Sequence, residues 1–240
     1  MGHFRLILNF LQVPDWSTWK FGTFGLNYNE IYAASGKTAS HVEVQGDKLA
    51  VSGVLFDRIT WLSEEIKPKY EGGLMMSEPT STLRREWVMR QKNVVEKLHP
   101  YPDGSSPDEV LSKTLIGNAT LFEIEATADY TRYFDAHLAF NATSGAEETE
   151  MAREFCDAVR RRSRYRRLGT TKKGYLGAVP EVAEVGDWVC MFHGGQHLFV
   201  VRENGPDFTY VGHAYIHGLM KGEILKLDDY ESSKRMIVLA

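Results

Sequence analysis

Apolar and polar positions along the chain divide it into a β-rich beginning, a helical middle and a β-rich end. Over residues 1–66 the pattern predicts strands at Glu30 to Ala34, His41 to Val44 and Lys48 to Ile59, with Gly46-Asp47 as the tight turn before the last. Strand side chains alternate, so Leu49, Val51, Gly53, Leu55 and Asp57 share one face, and Ala50, Ser52, Val54 and Phe56 share the other. A Gly-, Pro- and Ser-containing loop follows over Gly72 to Ser81. The period then changes, because Leu83, Trp87, Val94, Val95 and Leu98 recur at helical spacing among Arg84, Arg85, Glu86, Arg90, Lys92 and Glu96. Pro100, Pro102 and Gly104 break that helix, and Ser106, Pro107 and Glu109 are the cap, first-turn proline and third-position acid of another. Helices are expected over Ala126 to Ala142 and Ala146 to Arg162. Short β-branched and aromatic runs return at Asp187 to Phe192, His197 to Arg202 and Phe208 to Gly212, each bounded by glycine turns. The order predicts an α+β fold in a single domain over 1–240, with β-rich segments 1–66 and 165–240 as a sheet or small barrel and helices over 79–163.

Composition narrows the function. A net charge of -4 speaks against a general nucleic-acid binder, which needs a basic face to neutralise phosphates. The two cysteines, Cys156 and Cys190, form no redox or metal-binding spacing and suit a reduced compartment. The apolar run Leu6 to Leu11 is interrupted by Asn9 and is too short for a secretory signal or a membrane span, so a cytoplasmic protein with no membrane partner is expected. Without a leader, the sequons at Asn118-Ala-Thr120 and Asn141-Ala-Thr143 carry little weight. Walker, GxGxxG, HExxH and GxSxG motifs are missing, so no cofactor and no metal are expected, and any chemistry falls to side chains alone.

The densest polar cluster is His193, His197, His213 and His217 with Tyr210, Tyr215 and Glu223. His213, Tyr215 and His217 alternate, which puts them on one face of a strand, where imidazole and phenol can transfer protons near neutral pH. His41 and Asp57 form a second candidate pair, in which a carboxylate would orient an imidazole. These five residues are the catalytic candidates. Trp16, Trp19, Tyr28 and Tyr32 near the start, with Trp188 and Tyr210 later, are candidates for the walls of an apolar ligand pocket. Each group has a structural alternative: Tyr215 and His217 can tie the Gly218 turn to the core, and large aromatics ordinarily supply core area. The basic run Arg160 to Arg167, with Lys172 and Lys173 close behind, offers a site for phosphate or nucleic acid, yet it stands at the end of a helix opened by Glu147, Glu148 and Glu150, where cations offset the helix dipole; the structural reading comes first and partner docking second.

Several segments together resemble one family. Val13-Pro-Asp-Trp-Ser17, Tyr32-Ala-Ala-Ser-Gly36, His41-Val42, Leu49-Ala-Val-Ser-Gly53 with Phe56-Asp57, Tyr165-Arg-Arg-Leu168 with Lys173-Gly-Tyr-Leu-Gly177, Gly186-Asp187 and Tyr215 to Glu223 are similar, in order and spacing, to the region downstream of the HET domain in fungal heterokaryon incompatibility proteins. In that family the HET domain, which resembles TIR domains, is the part associated with cell death, and the resemblance implies a chain that begins after it. Asn9-Phe-Leu-Gln12, Leu168 and Ala178-Val179 depart from the family's usual residues. A module standing without its effector implies separate work. The first expectation is a cofactor-independent cyclase or isomerase of fungal secondary metabolism, a Diels-Alder type pericyclase among them, folding a small apolar substrate in an apolar pocket. The alternative is a non-catalytic interaction or ligand-binding module of the incompatibility system. The oligomeric state is left open.

Overall fold

The computed structural model describes residues 31–65, 69–71, 74–77, 81–122, 124–140 and 148–240. Its strands begin with β1 (Val42–Gln45), β2 (Lys48–Leu62), β3 (Lys69–Glu71) and β4 (Leu74–Ser77). Four helices follow: α1 (Ser81–Glu96), α2 (Pro107–Leu115), α3 (Thr131–Ala139) and α4 (Glu150–Arg162). The chain then returns to strands with β5 (Arg166–Thr171), β6 (Leu176–Pro180), β7 (Trp188–Phe192), β8 (Leu198–Asn204) and β9 (Asp207–Ile216). A short helix α5 (Tyr230–Ser233) leads into β10 (Lys234–Leu239). The architecture is α+β, β-rich toward both ends with helices between.

The sheet closes on itself. Strand β2 pairs antiparallel with β7 along Gly53 to Arg58 and with β5 along Ile59 to Leu62. From β5 the pairing runs to β6, β9, β8 and β7, and so back to β2. Six strands therefore form a ring, and a ring leaves no bare edge for another chain to pair with. Strand β10 lies antiparallel beside β2 at residues 49–54 and touches β9 where Leu239 faces Phe208. Register shifts between Leu55 and Asp57 and between Ile59 and Trp61 let β2 serve different partners along its length.

Alternation explains why so many consecutive residues are apolar. Val189 and Met191 of β7 with Leu198 and Val200 of β8 enter one core, which also takes Val54, Phe56, Ile59 and Ile216. Their neighbours Cys190, Phe192, Phe199 and Val201 join Leu49, Val51, Ile237 and Leu239 in another. A strand buried on both faces reads as an unbroken apolar run. The third core belongs to the helices, where Trp87, Leu111, Phe134 and Phe155 pack with Leu168 of β5 and Leu176 of β6. Each such side chain contributes roughly 1.5–3 kcal/mol when fully buried, and these contacts seat the helical layer on the β5–β6 side of the barrel.

Several expectations are met and others corrected. The Gly46-Asp47 turn joins β1 to β2, with Gly46 at a φ of 65°. Ser106 caps α2 by accepting from the Glu109 amide, with Pro107 at the first position. Residues 31–34 form no strand: Ala33 donates to the Met220 carbonyl and Ala34 to the Gln196 carbonyl, single bonds to two loops instead of a ladder, while Tyr32 and Ala34 are buried. Part of the expected loop at 72–81 is the β3–β4 hairpin. The helix expected from Ala126 to Ala142 is a 3-10 turn at Ala128–Tyr130 followed by α3, and α4 starts at Glu150 behind the Thr149 cap. Strand β9 runs on to Ile216, so His213 and Tyr215 are strand residues. No helix among the described residues is long and apolar enough to cross a membrane.

Candidate functional site

Where β6 and β9 pair, Ala178 stands opposite Tyr215. Side chains two apart on β9 share a face, which sets His213 beside Tyr215. The end of α4 and the start of β5 bring Arg162 and Arg166 to the same place, and the last turn of α2 and the chain just after it bring Thr114 and Gly117. Between barrel and helices these residues, with Tyr32 and His197, line a half-open cavity of about 40 Å³. By the space one water needs, roughly 10–15 Å³, it has room for a few waters or one small polar group.

The wall is made of rings and guanidinium groups. His197 lies 5.0 Å, edge to face, from the Tyr32 ring and 5.2 Å from the His213 ring. Tyr32 donates its hydroxyl to the Gly117 carbonyl, fixing its ring beside the end of α2. Arg166 donates to the His213 carbonyl and to His213 Nε2. A guanidinium has no acceptor, so His213 Nε2 must accept and the ring proton sits on Nδ1. Desolvation, reinforced by the Arg166 charge, pushes His197 down to about 3, and the same two causes together with His197 hold His213 well below its ordinary value. Both imidazoles are neutral at physiological pH.

A hydrogen-bonded chain leads from the cavity wall toward the surface. Tyr215 Oη lies 3.1 Å from His217 Nδ1, and His217 Nε2 lies 3.2 Å from Ser105 Oγ and 3.6 Å from Asp103 Oδ2. Tyr101 locks the far side: its hydroxyl accepts from the Leu176 amide at 2.9 Å and donates to the His217 carbonyl at 3.0 Å. Desolvation lowers the His217 pKa while Asp103 opposes the fall.

The other sequence candidates lie elsewhere. His41 is exposed and pairs with Glu43 at 3.1 Å. Asp57 is buried and accepts from its neighbour's amide, Arg58, at 2.9 Å and from the Lys173 amide at 2.6 Å. The two form no hydrogen bond with each other; Asp57 pins the β5–β6 turn, so the expected orienting of His41 does not occur. Trp188 lies under the Arg58 guanidinium at 4.2 Å and donates to Glu203 at 3.0 Å, in a surface cluster. Tyr210 packs on Phe199 with ring centroids 6.1 Å apart, and burial raises its phenol pKa. Trp16, Trp19 and Tyr28 fall outside the described residues. Of the pocket-wall candidates, only Tyr32 lines this cavity among the described residues. His193, grouped with the cluster in sequence, instead bridges Ser52 Oγ at 3.1 Å and Tyr230 Oη at 3.2 Å. Sequence reading weighed the basic run that holds Arg162 and Arg166 and the cluster that holds His197, but selected none of the three as site residues. The signal for the arginines was the basic run, which reads more simply as a solvated helix end.

Comparison with known families falls on this part of the fold. Residues 125–233 match the family model of the Het-6 beta-barrel domain. That family is tied to fungal heterokaryon incompatibility proteins, in agreement with the resemblance seen in the sequence. The matched stretch supplies α3, α4 and β5 through β9, hence Arg162, Arg166, His197, His213 and Tyr215, while β2, which closes the ring, lies outside it. No curated protein and no solved structure matches the chain.

Proposed function

We propose that this chain is a non-catalytic recognition module related to heterokaryon incompatibility, receiving a small polar ligand in the cavity between the Het-6 barrel and the helices. The observation that carries the reading is the character of that cavity: about 40 Å³, with two guanidinium groups and two neutral imidazoles in its wall. A general base works best with a pKa near the operating pH, and a histidine at about 3 is a poor one. A cycloaddition substrate needs an apolar pocket of several hundred cubic ångströms, on the order of 300 Å³ or more. The cyclase reading therefore draws no support from this site. The free thiols Cys156 and Cys190 suit the cytoplasm as the place where the module works.

Gene deletion with complementation separates the two readings. The deletion strain is expected to keep its metabolite profile and to change its behaviour on hyphal fusion. Wild-type protein restores that behaviour, whereas Ala178→Leu, which fills the cavity and leaves every charged group in place, does not, although it accumulates as folded protein. An uncyclised precursor accumulating in the deletion strain would overturn the recognition reading in favour of the cyclase.

A further inference from the structure

We propose a second binding site, apart from the cavity and independent of it: the free edge of β10, which takes an extended acidic segment of a partner protein. Strand β10 lies outside the six-strand ring, and its register leaves most of one side uncovered. On the other side all six of its residues pair with β2. Toward β9 it runs parallel and pairs only where Leu239 faces Phe208. Strand β9 begins at Asp207, so in that register the earlier residues of β10 reach past its end, and among the described residues no strand stands on that side of 234–238. Backbone groups that point outward from such an edge have no ladder partner, and an extended peptide supplies one.

An open groove of about 450 Å³ begins at this edge, lined by Leu55, Trp188, Ser232, Ser233, Lys234 and Arg235. Its charge selects the occupant, since none of these residues is a carboxylate. Lys234 is engaged already: its ammonium lies 2.7 Å from Glu231 and 4.8 Å over the Tyr230 ring. Glu203, which accepts from Trp188, is paired with Arg58. Arg235 differs, being exposed and having no hydrogen-bond or ion-pair partner for its guanidinium among the described residues. It shares a face of β10 with Ile237 and Leu239, and the residue that a pairing strand lays opposite it falls on the same face. An Asp or Glu at that position meets a donor-only fork suited to a carboxylate, while Leu55 and Trp188 offer apolar surface to a neighbouring side chain.

Selection from a displayed library of random linear dodecapeptides against the full chain tests this. The recovered peptides are expected to be rich in Asp or Glu set among β-branched and aromatic residues. Amide hydrogen exchange at 234–238 is expected to slow when such a peptide binds wild-type protein, a readout that needs no variant. Arg235→Gln is expected to weaken binding about three- to fivefold, the scale of one exposed ion pair, and Arg235→Glu to weaken it further. Arg160→Gln, whose guanidinium pairs with Asp157 at 3.1 Å on α4, and Ala178→Leu, in the cavity, are expected to bind like wild type. Failure to recover a peptide, recovery without acidic enrichment, protection at other strands alone, or equal weakening by Arg160→Gln overturns the proposal. Dimerisation of the free chain that protects the same amides overturns the partner segment in favour of a second copy. Weakening by Ala178→Leu as large as that by Arg235→Glu moves recognition to the cavity and overturns the edge.

Discussion

Gly177 occupies the closest approach of β6 to β9. A Cβ at that position would lie 2.3 Å from Ile216 Cδ1 and 2.6 Å from the Tyr215 carbonyl oxygen, distances that force the backbone apart. Gly177→Ala is therefore expected to cost about 1–3 kcal/mol or more in urea unfolding, as overpacking does, and to disturb the adjacent cavity by moving Tyr215. Gly205, at the β8–β9 turn with a φ of 62°, meets nothing within 4 Å. Gly205→Ala is expected to cost only its left-handed strain, about 1–2 kcal/mol, and to leave ligand binding unchanged. A larger loss at Gly205 than at Gly177 would contradict this account of the β6–β9 contact. The same scale shows what was legible of the site. The alternation His213, Tyr215, His217 was readable because a strand has a period of two: His213 and Tyr215 line the cavity, and His217 continues from it through the Tyr215 hydroxyl. The arginines were not readable, because Arg162 and Arg166 lie within a run whose other members stay near the surface; the turn at Tyr165, with a φ of 59°, redirects the chain between them. Asp57 was misleading for a related reason. A carboxylate at the end of an apolar run looks the same in sequence whether it orients a histidine or accepts two backbone amides.

Between α1 and α2, the loop around Tyr101 is tied to the barrel by the Tyr101 hydroxyl and by Ser105 and Asp103 against His217. Tyr101→Phe would leave the Leu176 amide and the His217 carbonyl without that partner, and both belong to the buried junction of helices and sheet. The expected cost is roughly 1–3 kcal/mol, the penalty of buried backbone groups left unsatisfied. Loss of the tether is also expected to raise amide hydrogen exchange in residues 100–106 and at the β6–β9 pairing while α4 keeps its protection. Unchanged exchange in the loop together with a stability loss below half a kilocalorie, about 0.5 kcal/mol, would place the tether elsewhere. At this scale the sequence was most readable where local signals are self-sufficient: the Gly46-Asp47 turn, the Ser106-Pro107 helix start and the runs that became β7, β8 and β9. It was least readable for β5, β6 and β10. Arg166-Arg-Leu-Gly-Thr-Thr171 and Leu176-Gly-Ala-Val-Pro180 contain glycine, proline and charge, and they are strands because β2 and β9 pair with them. The extension of β2 to Leu62 has the same origin, since its last residues have a partner only once β5 has arrived.

Across the whole molecule, buried neutral histidines make stability depend on pH in one direction. His197 is lowered to about 3, by desolvation first and Arg166 second. His137, 1% exposed on α3 against Phe155, is lowered to about 4 by desolvation and then by Arg85 and Arg84, and neither of its ring nitrogens has a hydrogen-bond partner. In the unfolded chain each titrates near 6.5. Below that pH the unfolded state takes up protons that the native state refuses, so the stability is fully present above about 6.5 and is lost as pH falls toward the native values. By pH 5 the loss is about 2 kcal/mol for each of the two histidines, and His213, lowered in the same direction, adds to it. Ordinary carboxylates remain mostly ionised between pH 7 and 5, so they do not mask the effect. Denaturant unfolding at the two pH values is therefore expected to show a loss of several kcal/mol, a large share of the roughly 5–15 kcal/mol a domain possesses. His137→Leu isolates one contribution. It removes two ring nitrogens without hydrogen-bond partners and places apolar volume against Phe155, so stability at pH 7 is expected to hold within about 1.5 kcal/mol, while the drop between pH 7 and 5 shrinks by about 2 kcal/mol. Stability that stays level or rises from pH 7 to 5 would mean that these histidines are not held neutral by the fold, and the uncharged His197 and His213 of the cavity wall would lose their basis with it.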